Sequence, residues 1–126
     1  MKLSEMICKY DLHDSLIEDV NYFHNSKRLI FEIELCNWKQ SSFQVGEPEM
    51  VKVLIIFTGV KKFVFDPESK VFQSDEILET NLIKNDDVDN ETIKIVLNGE
   101  KDIKIIEIVA NDVTLEISKS KTEKYL

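Results

Sequence analysis

Three segments rich in Ile and Val fill the last third of this chain, and short turns separate them. They read ETIKIVL (91–97), DIKIIEIVA (102–110) and VTLEIS (113–118), with Asn98-Gly99 and Asn111-Asp112 in the turns. β-branched residues favour strands, and Asn-Gly between two such runs is a strong turn signal. The pattern predicts a three-stranded antiparallel meander, which fixes the fold class as mainly β.

The middle segment of this meander carries apolar residues in both phases of the strand alternation. With a three-residue loop before it, Ile103 and Ile105 match the preceding strand. With a two-residue turn after it, Ile106 and Ile108 match the following strand. Because successive side chains of a strand point to opposite faces, we expect either a β-bulge at this point or burial of both faces.

The first half of the chain adds more strands. Residues 16–23 and 28–36 alternate apolar and polar positions and predict a hairpin that pairs Val20 with Phe31 and Tyr22 with Leu29. The apolar run at 51–57 predicts a buried strand. Ser74 as N-cap, followed by two acidic residues, predicts a short helix near residues 75–82.

These elements predict one domain, residues 1–126, with a polar tail at 119–126. The expected architecture is an antiparallel β-sandwich or a curled, partly open barrel of about six to eight strands with one short helix near residues 75–82.

The charge of the chain narrows the classes of partner. The formal net charge of −8 disfavours nucleic acid and anionic membrane surfaces and suits a basic protein partner. We find no apolar run of membrane-spanning length and no signal peptide, so the expected compartment is the cytoplasm. Cys8 and Cys36 are then expected to be free thiols.

Motifs for catalysis or cofactor binding are not found in the sequence. It contains no P-loop, dinucleotide fingerprint, GxSxG or HExxH motif, and no cofactor is expected. The acidic loop at 86–91 departs from an EF-hand because Thr92 and Asn98 occupy the required Gly and Glu positions. We interpret the loop as a solvated turn, with a weak, irregular cation site as the alternative, and we expect no metal site.

A polar cluster of His13, Asp14 and Ser15 precedes the first hairpin. We interpret it as a turn in which Asp14 or Ser15 bonds to the backbone. Two catalytic readings stay open beside it, a Cys8–His13 nucleophile pair and an enzyme that uses His13 with carboxylates.

One face of the first hairpin combines acids with apolar residues. By strand parity it carries Asp19, Glu32, Glu34, Ile30 and Trp38, together with Ile17 and Cys36. Such a mixture is typical of a protein-binding surface. Two alternatives stay open: a solvated face balanced by neighbouring lysines, Lys52 or Lys61, or a face covered by a second sheet.

Short motifs in the first half carry a resemblance to a known group of proteins. Leu12-His13-Asp14-Ser15, the hairpin with Leu29, Phe31, Ile33 and Leu35, and the later Phe57-Thr58-Gly59-Val60 resemble small uncharacterised bacterial proteins that open with an LHDS element. Some related acidic proteins are regarded as immunity proteins, which neutralise a partner toxin. The resemblance covers roughly residues 10 to 65 and implies a bacterial cytosolic β-rich protein without established catalytic residues.

The sequence therefore favours a non-enzymatic interaction protein, of immunity type, that docks a basic protein partner. The alternative is a small-ligand-binding β domain whose curled sheet encloses a cavity lined by Phe63, Phe65, Phe72 and Trp38. A homodimer through an edge strand is a further expectation if the strand at 51–57 or that at 103–110 is unpaired on one side.

Overall fold

A single antiparallel sheet forms most of the molecule. The computed structural model describes residues 1–66, 75–83, 89–99 and 102–117. In chain order the elements are α1 (Leu3–Lys9), β1 (Leu16–Phe23), β2 (Arg28–Cys36), a 3₁₀ turn (Asn37–Lys39), β3 (Met50–Thr58), β4 (Lys62–Asp66), β5 (Asp75–Ile83), β6 (Glu91–Asn98), β7 (Ile103–Ala110) and β8 (Asp112–Ile117). The strand order is β4-β7-β6-β5-β1-β2-β3-β8. The mainly β fold class is thus confirmed.

Two corners bend this sheet back on itself. β3 continues into β4 through Gly59, and β7 continues into β8 through Asn111, although β4 and β8 are the opposite ends of the strand order. β3 pairs with β8 and β4 pairs with β7, so the two bent chain segments run antiparallel on both sides of the corner. The sheet therefore curls without closing into a barrel, as the curled alternative predicts, and the described strands do not form the two sheets of a sandwich.

The concave side of the sheet holds the core, and α1 packs onto it. Phe31 and Phe57 are fully buried, and their rings meet edge to face with centroids 5.4 Å apart. α1 buries Leu3 and Met6, which lie three residues apart on one face of the helix. The helix contacts β5, β6 and β8, and so joins the middle of the sheet to its end.

The register of the first hairpin agrees with the sequence prediction except near its open end. Val20 pairs with Phe31 and Tyr22 pairs with Leu29, as expected. A bulge between Ile17 and Asp19 shifts the pairing by one residue. Because a one-residue shift moves a side chain to the other face, Ile17 is buried in the core and not on the outer face where we expected it.

The helix predicted near residues 75–82 is wrong, because this segment is strand β5. A bulge between Ile77 and Glu79 breaks the period of two, so that the apolar positions fall at spacings that resemble a helix. Asp75, expected in a first helical turn, is buried and bonds to Lys104. The short helix is α1 instead, whose Leu3-x-x-Met6-Ile7 spacing was the available signal.

The prediction of a C-terminal meander is correct for β6 and β7 and wrong for β8. β6 and β7 pair, but Ile93 lies opposite Ile108 in an uninterrupted register. β8 pairs with β3 and not with β7, because the chain turns a corner at Asn111 where we expected a hairpin. Neither expectation for β7 holds: Ile108 is buried on the concave side and Ile103 is exposed on the other face.

Other predictions fall outside the described residues. These are the acidic loop up to residue 88, the polar tail at 119–126 and Phe72.

Candidate functional site

Four of the predicted partner-binding residues, Asp19, Ile30, Glu32 and Glu34, lie on the convex side of β1 and β2. Residues opposite each other in an antiparallel pair project to the same face. Asp19 lies opposite Glu32, which lies opposite Leu54 of β3. The outer acidic face, as we name this surface, consists of Asp19, Ile30, Glu32, Glu34, Leu54 and Glu116.

The carboxylates of this face lack cationic partners among the described residues. None of the ion pairs there involves Glu32, Glu34 or Glu116. Lys52 lies directly opposite Glu34, yet the two side chains do not form an ion pair. Asp19 accepts hydrogen bonds from the Val20 backbone N–H and the Asn21 amide. The face thus keeps an excess of negative charge.

Apolar side chains lie between these acids. Ile30 and Leu54 are half-buried, and Ile56, opposite Ile30, is 8% exposed. Because α1 packs on the concave side, no described element covers this face. The arrangement is one in which partly buried apolar groups are flanked by solvated carboxylates.

Trp38 lies beyond the end of β2, in the 3₁₀ turn, and is 51% exposed. The Nζ atom of Lys39 lies 5.3 Å from the centroid of its ring. The backbone N–H of Trp38 donates to the Glu49 carbonyl at 3.3 Å, which ties the turn to the start of β3. Cys36, assigned by parity to the same face, is buried.

The predicted polar cluster is present, and its members have different roles. Ser15 is fully buried, and its Oγ accepts the Cys36 backbone N–H at 3.0 Å. The Ser15 carbonyl accepts the Ile77 N–H, and the Asp14 N–H donates to the Ile77 carbonyl. Ser15 is therefore a structural residue that joins β1, β2 and β5.

Asp14 is the strained member of the cluster. Its φ of 68° lies in the left-handed region, which is unfavourable for a residue with a side chain. Its carboxylate contacts Lys39 Nζ at 2.8 Å and His13 Nδ1 at 3.2 Å, and Lys39 Nζ lies 3.0 Å from the same His13 nitrogen. These contacts and the two sheet bonds hold the segment in its strained conformation.

The sequence reasoning missed Lys39 and Glu76 as members of this cluster. The hydrogen bond from the Lys39 ammonium lowers the pKa of the Asp14 carboxyl, and the same bond raises the pKa of Lys39. A hydrogen bond to Asp14 raises the pKa of Glu76. The two carboxyl groups share one hydrogen bond, and Lys39 bonds to Asp14, so their proton affinities separate.

A pocket of about 330 Å³ adjoins the cluster between α1 and β5. The α1–β5 pocket is lined by Ile7, Cys8, Tyr10, Asp11, Leu12, His13 and Thr80. Cys8 and His13, considered as a catalytic pair, thus share one pocket, and both are exposed.

The loop that forms this pocket is tied down by Gln40. The buried Gln40 amide accepts the Asp11 N–H and donates to the carbonyls of Asp11 and Cys36. The His13 N–H donates to Asp11 Oδ1 at 3.0 Å.

The cavity expected for a small-ligand domain has a different lining from this pocket. Phe63 and Phe65 are half-buried and pack against the core, and Trp38 is exposed. The Cys8 and Cys36 thiols are free, as predicted, and burial raises the pKa of Cys36.

Within the described residues, no group of three or more His, Cys, Asp or Glu side chains could hold a metal ion. No helix in the described part of the chain is both long enough and apolar enough to cross a membrane. The sequence matches no protein-family model, and comparison with curated proteins gives no significant match.

Proposed function

We propose that this protein is a non-enzymatic interaction protein of the bacterial cytoplasm that docks a basic protein partner through the outer acidic face. The observation that carries the proposal is the absence of any cation in ion-pair contact with Glu32, Glu34 or Glu116 among the described residues. Ile30 and Leu54 would supply the apolar centre of the contact.

Electrostatics supports a basic partner for this surface. Asp19 lies directly opposite Glu32, and like charges in such pairs destabilise a sheet by roughly 0.2–1 kcal/mol. A Lys or Arg from a partner would relieve this repulsion. Complementary charge also raises association rates, and the net charge of −8 acts in the same direction at longer range.

An immunity-type role is the specific form of this proposal. Its support is the resemblance of Leu12-His13-Asp14-Ser15 and Phe57-Thr58-Gly59-Val60 to small uncharacterised bacterial proteins, since some related small acidic proteins are regarded as immunity proteins. Both motifs have local structural roles here, because Ser15 joins three strands and Gly59 forms a corner. The partner would then be a toxin with a basic surface.

The test is affinity capture from the native host with matched charge variants. The wild type, the double variant Glu32→Lys/Glu34→Lys and the control Glu49→Lys serve as baits. Glu49 is exposed and lies outside the face, just before the start of β3. We expect the wild type and Glu49→Lys to retain the same basic protein and the double variant to lose it. Retention of that protein by the double variant would contradict the proposal, as would recovery of the bait alone.

A homodimer through β3 or β7 would require that strand to be unpaired on one side, and the structure does not meet this condition. Both strands have neighbours on two sides, since β3 lies between β2 and β8 and β7 lies between β4 and β6. The ends of the sheet are β4 and β8, and Met1 exchanges two backbone bonds with Val113 on β8.

A further inference from the structure

The structure assigns the α1–β5 pocket as a binding site for small uncharged molecules that combine an apolar body with a hydrogen-bond acceptor such as a carbonyl oxygen. This site is independent of the outer acidic face, because its residues come from α1, the following loop and β5.

The dimensions and lining of the pocket suit a small ligand. Its volume of about 330 Å³ is at the lower end of the range for small-molecule sites. Ile7 and Leu12 supply apolar surface, and Tyr10, His13 and Thr80 add groups that can donate hydrogen bonds.

The contacts of His13 determine which of its nitrogens is available. Lys39 Nζ lies 3.0 Å from Nδ1. Asp14 Oδ1 lies 3.2 Å from the same nitrogen, so these two contacts occupy Nδ1 and leave Nε2 as the ring nitrogen open to a ligand. Nε2 is an N–H donor in the tautomer in which Nδ1 accepts the bond from Lys39.

Thr80 provides the second polar group. Its Oγ1 is buried and lacks a hydrogen-bond partner among the described residues, which is a costly state for a hydroxyl. Thr80 lies opposite the buried Ile95 and therefore on the concave side of the sheet, where α1 packs. A rotation about χ1 exchanges the hydroxyl and methyl positions of a threonine, so the hydroxyl can reach an acceptor in the pocket.

The charges around this site disfavour ionic ligands. Asp11 in the wall and the net charge of −8 disfavour anions. The donor groups of His13 and Thr80 favour an acceptor over a cation. The Asp11 carboxylate already accepts the His13 N–H, which reduces its capacity for a ligand.

Monobromobimane tests the proposal, since it is a small uncharged dione that reacts with thiols. In the reaction the Cys8 thiolate displaces bromide, a carbon–sulfur bond forms, and the thiol proton passes to the buffer. If the probe binds in the pocket first, the observed labelling rate saturates with probe concentration. The unreactive dimethyl bimane should compete with the probe and slow the labelling. Cys8→Ser should abolish the saturable labelling.

The variant Thr80→Val removes the hydroxyl at nearly constant volume. We expect at least a fivefold rise in the half-saturating probe concentration, an unchanged maximal rate and a higher melting temperature. Thr114→Val, the same change at an exposed position of β8, serves as the control. His13→Leu, also at an exposed position, should raise the half-saturating probe concentration; its melting temperature is measured alongside, because His13 also contacts Asp14 and Lys39.

Two results would overturn the inference. One is a labelling rate that stays linear in probe concentration up to its solubility limit. The other is a half-saturation that neither Thr80→Val nor His13→Leu changes.

Discussion

A Cβ atom on Gly59 would lie 2.8 Å from the Cβ of Asn111, closer than two such carbons can approach. These residues form the two corners at which β3 passes into β4 and β7 into β8. The backbones are joined there by the bond from Asn111 N–H to the Thr58 carbonyl at 3.2 Å. The curl of the sheet therefore depends on a glycine at one corner.

Replacement of Gly59 should destabilise the fold substantially. Gly59→Ala adds a side chain at a φ of 60° and an overlap with Asn111. The left-handed backbone costs about 1–2 kcal/mol, and the overlap adds to it, so we expect a loss of about 2 kcal/mol or more in urea unfolding.

Gly46 and Asn111 supply the controls for this prediction. Gly46 has a φ of 100°, and a Cβ at this position would meet nothing within 4 Å, so Gly46→Ala should lose only the backbone contribution of about 1–2 kcal/mol. Asn111→Gly in the Gly59→Ala background should recover part of the loss. Equal losses for the two alanine variants would show that the corner contact is unimportant.

The ionised state of Asp14 should stabilise the protein at neutral pH. Lys39 lowers the pKa of Asp14 in the folded protein below 3.8. The stabilisation that the ionised Asp14 carboxylate provides is therefore complete above pH 3.8, and it is lost as the pH falls through the pKa of the folded state. We expect Asp14→Asn to melt at a lower temperature than the wild type at pH 7 and the difference to shrink toward pH 2. A constant difference across this range would contradict the Asp14–Lys39 interaction.

The ionisation of Glu76 should have the opposite effect on the stability of the protein. The pKa of Glu76 in the folded protein is raised above 4.5. The stabilisation that the protonated Glu76 carboxyl provides is therefore complete below pH 4.5, and it is lost as the pH rises through the pKa of the folded state. Glu76→Gln, which stays neutral, should therefore melt above the wild type at pH 7 and converge with it near pH 3. Glu49→Gln is the control, and a lower melting temperature for Glu76→Gln at pH 7 would refute the assignment.

The buried pair of Asp75 and Lys104 should be the most sensitive polar contact. Asp75 is 3% exposed, and its Oδ2 lies 2.7 Å from Lys104 Nζ. Asp75→Ala removes the carboxylate that contacts the largely buried Lys104 ammonium, so it should cost about 3 kcal/mol in chemical unfolding. Lys104→Met in that background should restore part of the stability, whereas Asp19→Ala on the surface should change it by less than about 0.5 kcal/mol. Strictly additive losses at the two positions would rule out the coupling.

The sequence predicts those parts of the fold that depend on the alternation of apolar and polar residues within one segment. Val20, Tyr22, Leu29 and Phe31 form a continuous apolar face in only one register of the first hairpin, so that pairing was readable. The strand boundaries of the C-terminal third were readable for the same reason.

The errors arise where local and long-range signals differ. The β-bulge after Ile77 makes β5 look helical, and the one-residue connection at Asn111 looks like a hairpin turn. Only pairing with β3, more than fifty positions earlier in the chain, distinguishes a corner from a hairpin there. The spacing of residues along the chain does not indicate that pairing.

The candidate site divides in the same way. Asp19, Ile30, Glu32 and Glu34 share a face because they lie in one hairpin. Lys39 and Glu76 reach Asp14 only through the pairing of β1 with β2 and β5, so their membership of the cluster was not predictable.

The most direct test of the account is the dissociation constant of the captured partner, measured by calorimetry at two ionic strengths. We predict that Glu32→Lys/Glu34→Lys weakens binding by about tenfold or more, that Glu49→Lys changes it less than about twofold, and that salt weakens the wild-type complex. Equal affinities for the wild type and the double variant, with no dependence on salt, would contradict docking through the outer acidic face.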